Sequence, residues 1–153
     1  MTHPLNVADF IAPDRIVLDL RVRDKAQLLQ DLATRIETFC GGVAADTILA
    51  ALRSREVLGS TGLGKGFALP HARIEGLKQF VGLFARLGRP IDFDAIDGAQ
   101  VDLVFLLLMP PEAAGNGNVG ALAAVSRRFR DGETVARLRK ADAATALVAL
   151  TGQ

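Results

Sequence analysis

Between Asp24 and Cys40 the apolar residues Leu28, Leu29, Leu32, Ala33, Ile36, Phe39 and Cys40 recur every three or four positions. That spacing places them on one face of an α-helix, and Gly41-Gly42 marks where it stops. Asp24 is the expected N-cap, because its carboxylate can accept from amides of the first turn. A second helix is predicted from Asp46 to about Val57, with Ile48, Leu49 and Leu52 turned inward. Arg55 then falls in its last turn, where the helix dipole favours a cation.

The pattern changes in the second half. Leu103 to Met109 is an unbroken apolar run of seven residues, stopped by Pro110-Pro111. A helix needs about 20 such residues to cross a bilayer, so no membrane insertion is expected. The run reads instead as a strand covered on both faces. Arg15–Leu18 and Phe80–Leu87 read as further strands, and Phe67–Leu69 as a short strand end before Pro70. Ala121–Phe129 and Gly132–Leu150 read as helices, with Asp131 the candidate cap between them. Gly59–Gly66 holds four glycines in eight residues and reads as loop throughout, while Pro110–Gly117 reads as a mobile connection. Strands that follow one another without an intervening helix are not all parallel. The order therefore predicts an α/β three-layer sandwich: a mixed central sheet of about five strands with helices on both faces. At 153 residues, half of them apolar, the chain is expected to form one domain over residues 1–153.

Composition narrows the partners. Eighteen basic and seventeen acidic side chains leave a formal charge of +1, so no overall field recruits nucleic acid or an anionic membrane. Arg127, Arg128, Arg130, Arg137, Arg139 and Lys140 form a basic cluster, but with acids nearby and no Trp or Tyr they read as exposed helix faces. Cys40 is the single cysteine. It reads as a packed small hydrophobe, and no Cys/His cluster is available for a zinc site, so no metal and no cofactor are expected. Asp92, Asp94 and Asp97 lack the closing glutamate of an EF-hand and read as a solvated turn. The start of the chain shows no secretory pattern, and with the lone thiol this points to a cytoplasmic protein.

The candidate chemistry is concentrated in Arg55 to His71: a helix-borne guanidinium, the hydroxyls of Ser60 and Thr61, a run of glycines, and a histidine fixed behind Pro70. Gly59 to Lys65 fits the G-x-x-x-x-G-K phosphate loop but lacks its final Ser or Thr, and a helix precedes rather than follows it. Ser60 has Leu58 where a nucleophile elbow needs glycine. Taken alone, His71 is either a hydrogen-bonded structural residue or a nucleophile that carries a phosphoryl group as a phosphoramidate. Such a relay needs no metal where arginine and backbone amides neutralise the equatorial oxygens.

Arg55-Glu56 followed by Gly64-Lys65-Gly66-Phe67-Ala68-Leu69-Pro70-His71 resembles the EIIA components of the bacterial phosphoenolpyruvate-dependent phosphotransferase system, of the mannitol/fructose and nitrogen-regulatory type. Arg55 stands sixteen positions before His71, as in the family. Gly59-Ser60-Thr61-Gly62, Pro70-His71-Ala72-Arg73 and Ile91–Gly98 look most like the nitrogen-regulatory branch. The resemblance implies that His71 accepts phosphate from an HPr/NPr-like phosphocarrier and that Arg55 clamps the phosphoryl oxygens. Ser60 and Thr61 and the amides of Gly62, Gly64 and Gly66 are weaker candidates to orient the group; the glycines serve equally well as positions of positive φ. It also implies regulated partners such as potassium transport components or sensor kinases. With no EIIB or EIIC portion in the chain, a free-standing regulator is expected. The family usually carries a second histidine where this chain has Asn118, which can hydrogen-bond an imidazole but cannot become cationic. A protein-binding regulator that is never phosphorylated is the alternative that Asn118 permits.

Overall fold

The computed structural model describes residues 6–111 and 117–152. Six strands form one mixed sheet: β1 (Ile16–Leu20), β2 (Gly62–Gly64), β3 (Phe67–Ala68), β4 (His71–Arg73), β5 (Val81–Ile91) and β6 (Val101–Met109). Their order is β1-β5-β6-β3-β2, with β4 also paired to β6. β5 and β6 are antiparallel, whereas β1 on β5, and β3 and β4 on β6, are parallel.

Strand alternation builds two cores. Val104, Leu106 and Leu108 of β6 face one way, with Leu28, Leu32 and Ile36 of α1 (Lys25–Ile36) and Ile48 and Leu52 of α2 (Ala45–Val57). Leu103, Phe105, Leu107 and Met109 face the other way, toward α3 (Gly117–Arg130), α4 (Gly132–Leu138) and α5 (Ala143–Thr151). This is the expected sandwich, and it explains why β6 carries no polar face. Each fully buried leucine or isoleucine contributes about 1.5–3 kcal/mol by leaving water. Phe67 and Phe129 stack with ring centroids 3.8 Å apart and tie β3 to α3.

Local signals held where they depended on nearby residues. Asp24 caps α1, its carboxylate accepting from the Gln27 amide at 2.8 Å. The periodic face continues beyond α1 through a 3-10 turn, Glu37–Phe39, to Cys40. Cys40 is buried; its thiol donates to the Ile36 carbonyl, and burial pushes its pKa up. Asp92 and Asp97 accept from the amides of Asp94 and Ala99 and so close turns of their own.

Three expectations are corrected. Gly59–Gly66 is not loop throughout, because Gly62–Gly64 is β2, hairpinned to β3 through Lys65 and Gly66. Both turn residues have positive φ, 57° and 83°, the handedness that matches strand twist in a two-residue hairpin. A Cβ on Gly62 would lie 2.9 Å from the Ala95 backbone, so glycine lets the hairpin pack against that segment. Second, Gly132–Leu150 is two helices, not one. Asp142 caps α5 by accepting from the Thr145 amide at 2.8 Å, and the chain turns at Arg139 to Ala141. Third, the basic cluster is exposed at Arg127, Arg130, Arg137, Arg139 and Lys140 as expected, but Arg128 is half-buried. Arg139 makes two hydrogen bonds to Asp102, and Arg128 donates to the Ala149 carbonyl at 2.6 Å and so holds α3 to α5. Of the connection read at Pro110–Gly117, residues 112–116 lie outside the described residues, and Gly117 begins α3.

Candidate functional site

β4 is an edge strand, because Pro70 ends the pairing of β3 and the chain re-engages β6 further along, with His71 opposite Leu107. The C-terminal turn of α2 lies alongside this edge and brings Arg55 to His71. Arg55 Nε–H donates to His71 Nε2 at 3.3 Å, and Arg55 Nη1 donates to the Gly59 carbonyl at 2.9 Å. On the other side of the ring, His71 Nδ1 lies 2.7 Å from the Leu69 carbonyl oxygen. A carbonyl only accepts, so Nδ1 carries the proton and Nε2 keeps its lone pair.

The electrostatics reinforce that tautomer. Burial lowers the His71 pKa below its ordinary value; the Leu69 hydrogen bond opposes the shift, the Arg55 guanidinium adds to it, and Glu56 opposes it. The ring is therefore neutral at pH 7, the nucleophilic form. It lies in the wall of a cavity of about 520 Å³ between α2, β4 and the start of α3. Arg55 and Ser54 line it from α2, Leu58 from the residue that caps α2, Arg73 from β4, and Asn118 and Val119 from α3.

The other residues singled out from the sequence lie elsewhere. Ser60 Oγ donates to the Phe93 carbonyl at 2.7 Å and accepts from the Gly62 amide. Thr61 is buried, and its hydroxyl and amide both donate to the Glu56 carboxylate. Gly64 sits against the Asp97 carboxylate, and the Gly66 carbonyl accepts from Asp102 and Leu103 at the far end of β3. None of these four lines the cavity. Their hydroxyls and backbone hold the hairpin rather than facing His71. The phosphate-loop pattern also lacks its context, since β3 and β4, not a helix, follow the glycines.

Sequence reasoning missed two residues. Glu56 anchors the turn after α2, accepting from Thr61 and from Lys25 Nζ at 2.8 Å, while Lys25 lies 4.5 Å from the Phe93 ring centroid. Its place beside Arg55 was visible, but its partners are distant in sequence. Arg73 lines the cavity two residues after His71, a spacing that places both on one face of a strand. Asn118 lies where the resemblance sets a second histidine: Nδ2 donates to the Pro110 carbonyl at 3.2 Å, and Oδ1 is buried without a hydrogen-bond partner among the described residues.

Among the described residues no helix is long and apolar enough to cross a membrane. The chain is 43% identical over 141 residues to a nitrogen regulatory protein of Bradyrhizobium diazoefficiens, covering 92% of this chain and 91% of the relative. It is 35% identical to a nitrogen regulatory protein of Pseudomonas aeruginosa, over 94% of this chain and 92% of that one. The crystal structure of nitrogen regulatory protein IIA-Ntr from Neisseria meningitidis superposes with a TM-score of 0.88 at 34% identity, covering 95% and 98% of the two chains. IIA mannitol from Escherichia coli, at 16% identity and a TM-score of 0.75 over 92% and 98% of the chains, shares the fold. The model of the EIIA 2 family of the phosphoenolpyruvate-dependent sugar phosphotransferase system matches residues 9–151, and the chain belongs to that family, with its nitrogen regulatory proteins among the relatives it resembles.

Proposed function

We propose that the protein is a cytoplasmic, phosphohistidine-accepting regulator: it takes a phosphoryl group onto His71 from an HPr/NPr-like phosphocarrier and signals by its phosphorylation state. The observation that carries this reading is the pair of hydrogen bonds on the ring, Nδ1–H to Leu69 and Arg55 to Nε2. They leave one nitrogen with a lone pair beside a guanidinium at the wall of an open cavity.

The transfer balances without a metal or an external base. The Nε2 lone pair forms the new N–P bond as the N–P bond of the carrier's phosphohistidine breaks, and that electron pair returns to the carrier's imidazole. Nδ1 keeps its proton throughout, held by Leu69. Once Nε2 is bonded to phosphorus it no longer accepts from Arg55, which frees the Arg55 Nε–H for a phosphoryl oxygen. Arg55 thus stabilises charge that arrives only during transfer, the condition for lowering the barrier.

Leu58 and Val119 are exposed apolar residues on the cavity rim. They supply a surface on which a carrier or target can close around the polar centre. Phosphorylation adds about −1.5 to −2 charge at that surface and changes which proteins dock there, potassium transport components or sensor kinases among the proposed targets.

The test is incubation with phosphoenolpyruvate, the general phosphotransferase EI and an NPr carrier, followed by intact mass measurement. An acid-labile gain of one phosphate, lost in His71→Ala, supports the relay. A second reading, a binding regulator that is never phosphorylated, draws on the neutral Asn118 in the cavity wall, and no mass gain in the same experiment favours it.

A further inference from the structure

The cavity holds a second guanidinium. β4 is extended, so His71 and Arg73 project from the same face of the strand. Their partners on β6 identify that face. His71 pairs with Leu107 and Arg73 with Met109, both in the core beneath α3, whereas Ala72 pairs with Leu108 on the α1–α2 side. Arg73 is exposed, lines the same cavity as His71, and takes part in no ion pair among the described residues.

A charge count shows what this guanidinium is available for. A phosphorylated side chain carries close to two negative charges at pH 7, its second pKa being about 6. Arg55 matches one of them; the positive charge the ring gains when Nε2 bonds phosphorus with Nδ1 still protonated stays in the ring, whose one N–H is held by Leu69, and supplies no donor to the phosphoryl oxygens. From α2 the cavity receives no other charge, from β6 it receives Met109, and from α3 the neutral Asn118. The carboxylate next in sequence, Glu56, is turned away to Thr61 and Lys25. Arg73 is therefore the one remaining charged side chain among the described residues that line the cavity.

We propose that Arg73 is a phosphoryl-binding residue, its guanidinium supplying the second positive charge for the dianion carried on His71 Nε2. The proposal rests on the function proposed above. It assigns to β4 itself, two residues beyond the acceptor, a charge that the α3 wall of this chain does not provide.

Two measurements on the full chain test it. In the first, inorganic phosphate is titrated into the unphosphorylated protein while the His71 ring resonances are followed by NMR. Arg73→Gln is expected to weaken phosphate binding about 3- to 10-fold, and Arg73→Lys to restore most of it. In the second, the protein is phosphorylated through EI and the carrier, and its 31P resonance is titrated with pH. Arg73→Gln is expected to move the phosphoryl titration to higher pH, because the dianion loses a neighbouring cation; Arg73→Lys is expected to leave it near wild type. Denaturant unfolding of each variant establishes that it is folded. If the wild type binds phosphate in an Arg73-dependent way but never gains phosphate from the carrier, the relay fails and the Arg73 site stands. If neither phosphate binding nor the 31P titration depends on residue 73, the proposal is overturned, whether or not His71 is phosphorylated.

Discussion

Arg55 Nε lies 3.3 Å from His71 Nε2, across sixteen residues of chain that include a complete β-hairpin. The guanidinium is fixed at its other end by the Gly59 carbonyl, so it is oriented before any phosphoryl group arrives. Preorganised donors of this kind typically contribute 10²- to 10³-fold when removed singly. Arg55→Ala is expected to slow phosphorylation of His71 about 10²-fold, with the fold intact by circular dichroism. Arg55→Lys should recover little, because an ammonium cannot hold the Gly59 carbonyl and a phosphoryl oxygen in one plane. Rates from carrier-driven phosphorylation followed by mass decide the point; an unchanged rate in Arg55→Ala removes the clamp from the mechanism.

The lowered His71 pKa fixes the direction of the pH response. The folded ring stays neutral below the usual histidine value of 6.5, so phosphorylation should hold its rate as pH falls through 6.5 and decline only at lower pH. Arg55→Gln removes one of the lowering influences and should move the imidazole titration upward, seen directly in ring NMR shifts. For stability the sign is opposite to that of a salt-bridged histidine. Between the folded and unfolded pKa values the unfolded chain binds more protons, so stability rises with pH across that window and the penalty is complete below it. His71→Asn should flatten this segment of a stability profile measured by urea unfolding. A profile that keeps its slope in the variant places the titration on another group.

Glu56 is expected to be structural in its effect. Its carboxylate accepts from the amide and hydroxyl of Thr61, which is 1% exposed, and from Lys25. Glu56→Ala strands the Thr61 donors away from water, a cost of about 1–3 kcal/mol. Guanidinium unfolding should show a lower midpoint with an unchanged slope. A midpoint equal to wild type would mean that water reaches Thr61 after all.

Helices α1 and α2 and strand β6 were legible because their burial pattern is written in adjacent residues: one face every three to four positions, or an apolar run covered on both sides. What the sequence concealed depends on partners far along the chain. β2 has almost no side chains to pattern, and its pairing rests on the Lys65-Gly66 turn and its fit against Ala95. The break between α4 and α5 falls where Arg139 reaches Asp102, thirty-seven residues away. In the site, His71 and Arg55 were identified by resemblance to a family, and the structure brings them together. Ser60 and Thr61 were the weaker candidates to orient a phosphoryl group, and hydroxyls are drawn to whichever acceptor lies nearest, here Phe93 and Glu56.

Phe129 separates stability from chemistry. Its ring stacks on Phe67 and meets Phe84 and Phe105, in the core beneath α3 and away from the residues that line the His71 cavity. Deleting a large buried aromatic costs the transfer of its atoms from water together with the cavity left behind, about 3–5 kcal/mol for Phe→Ala. That is a large share of the 5–15 kcal/mol by which domains are stable, so Phe129→Ala should unfold at much lower denaturant. The folded fraction should still accept phosphate on His71 at a rate near wild type, because the Arg55, Leu69 and Arg73 positions are set by α2, β4 and the link from β3 into β4. Phe129→Leu, which keeps most of the volume, should lose less stability. If Phe129→Ala instead abolishes phosphorylation at temperatures where the protein remains folded, α3 positions the acceptor and not merely the core beneath it.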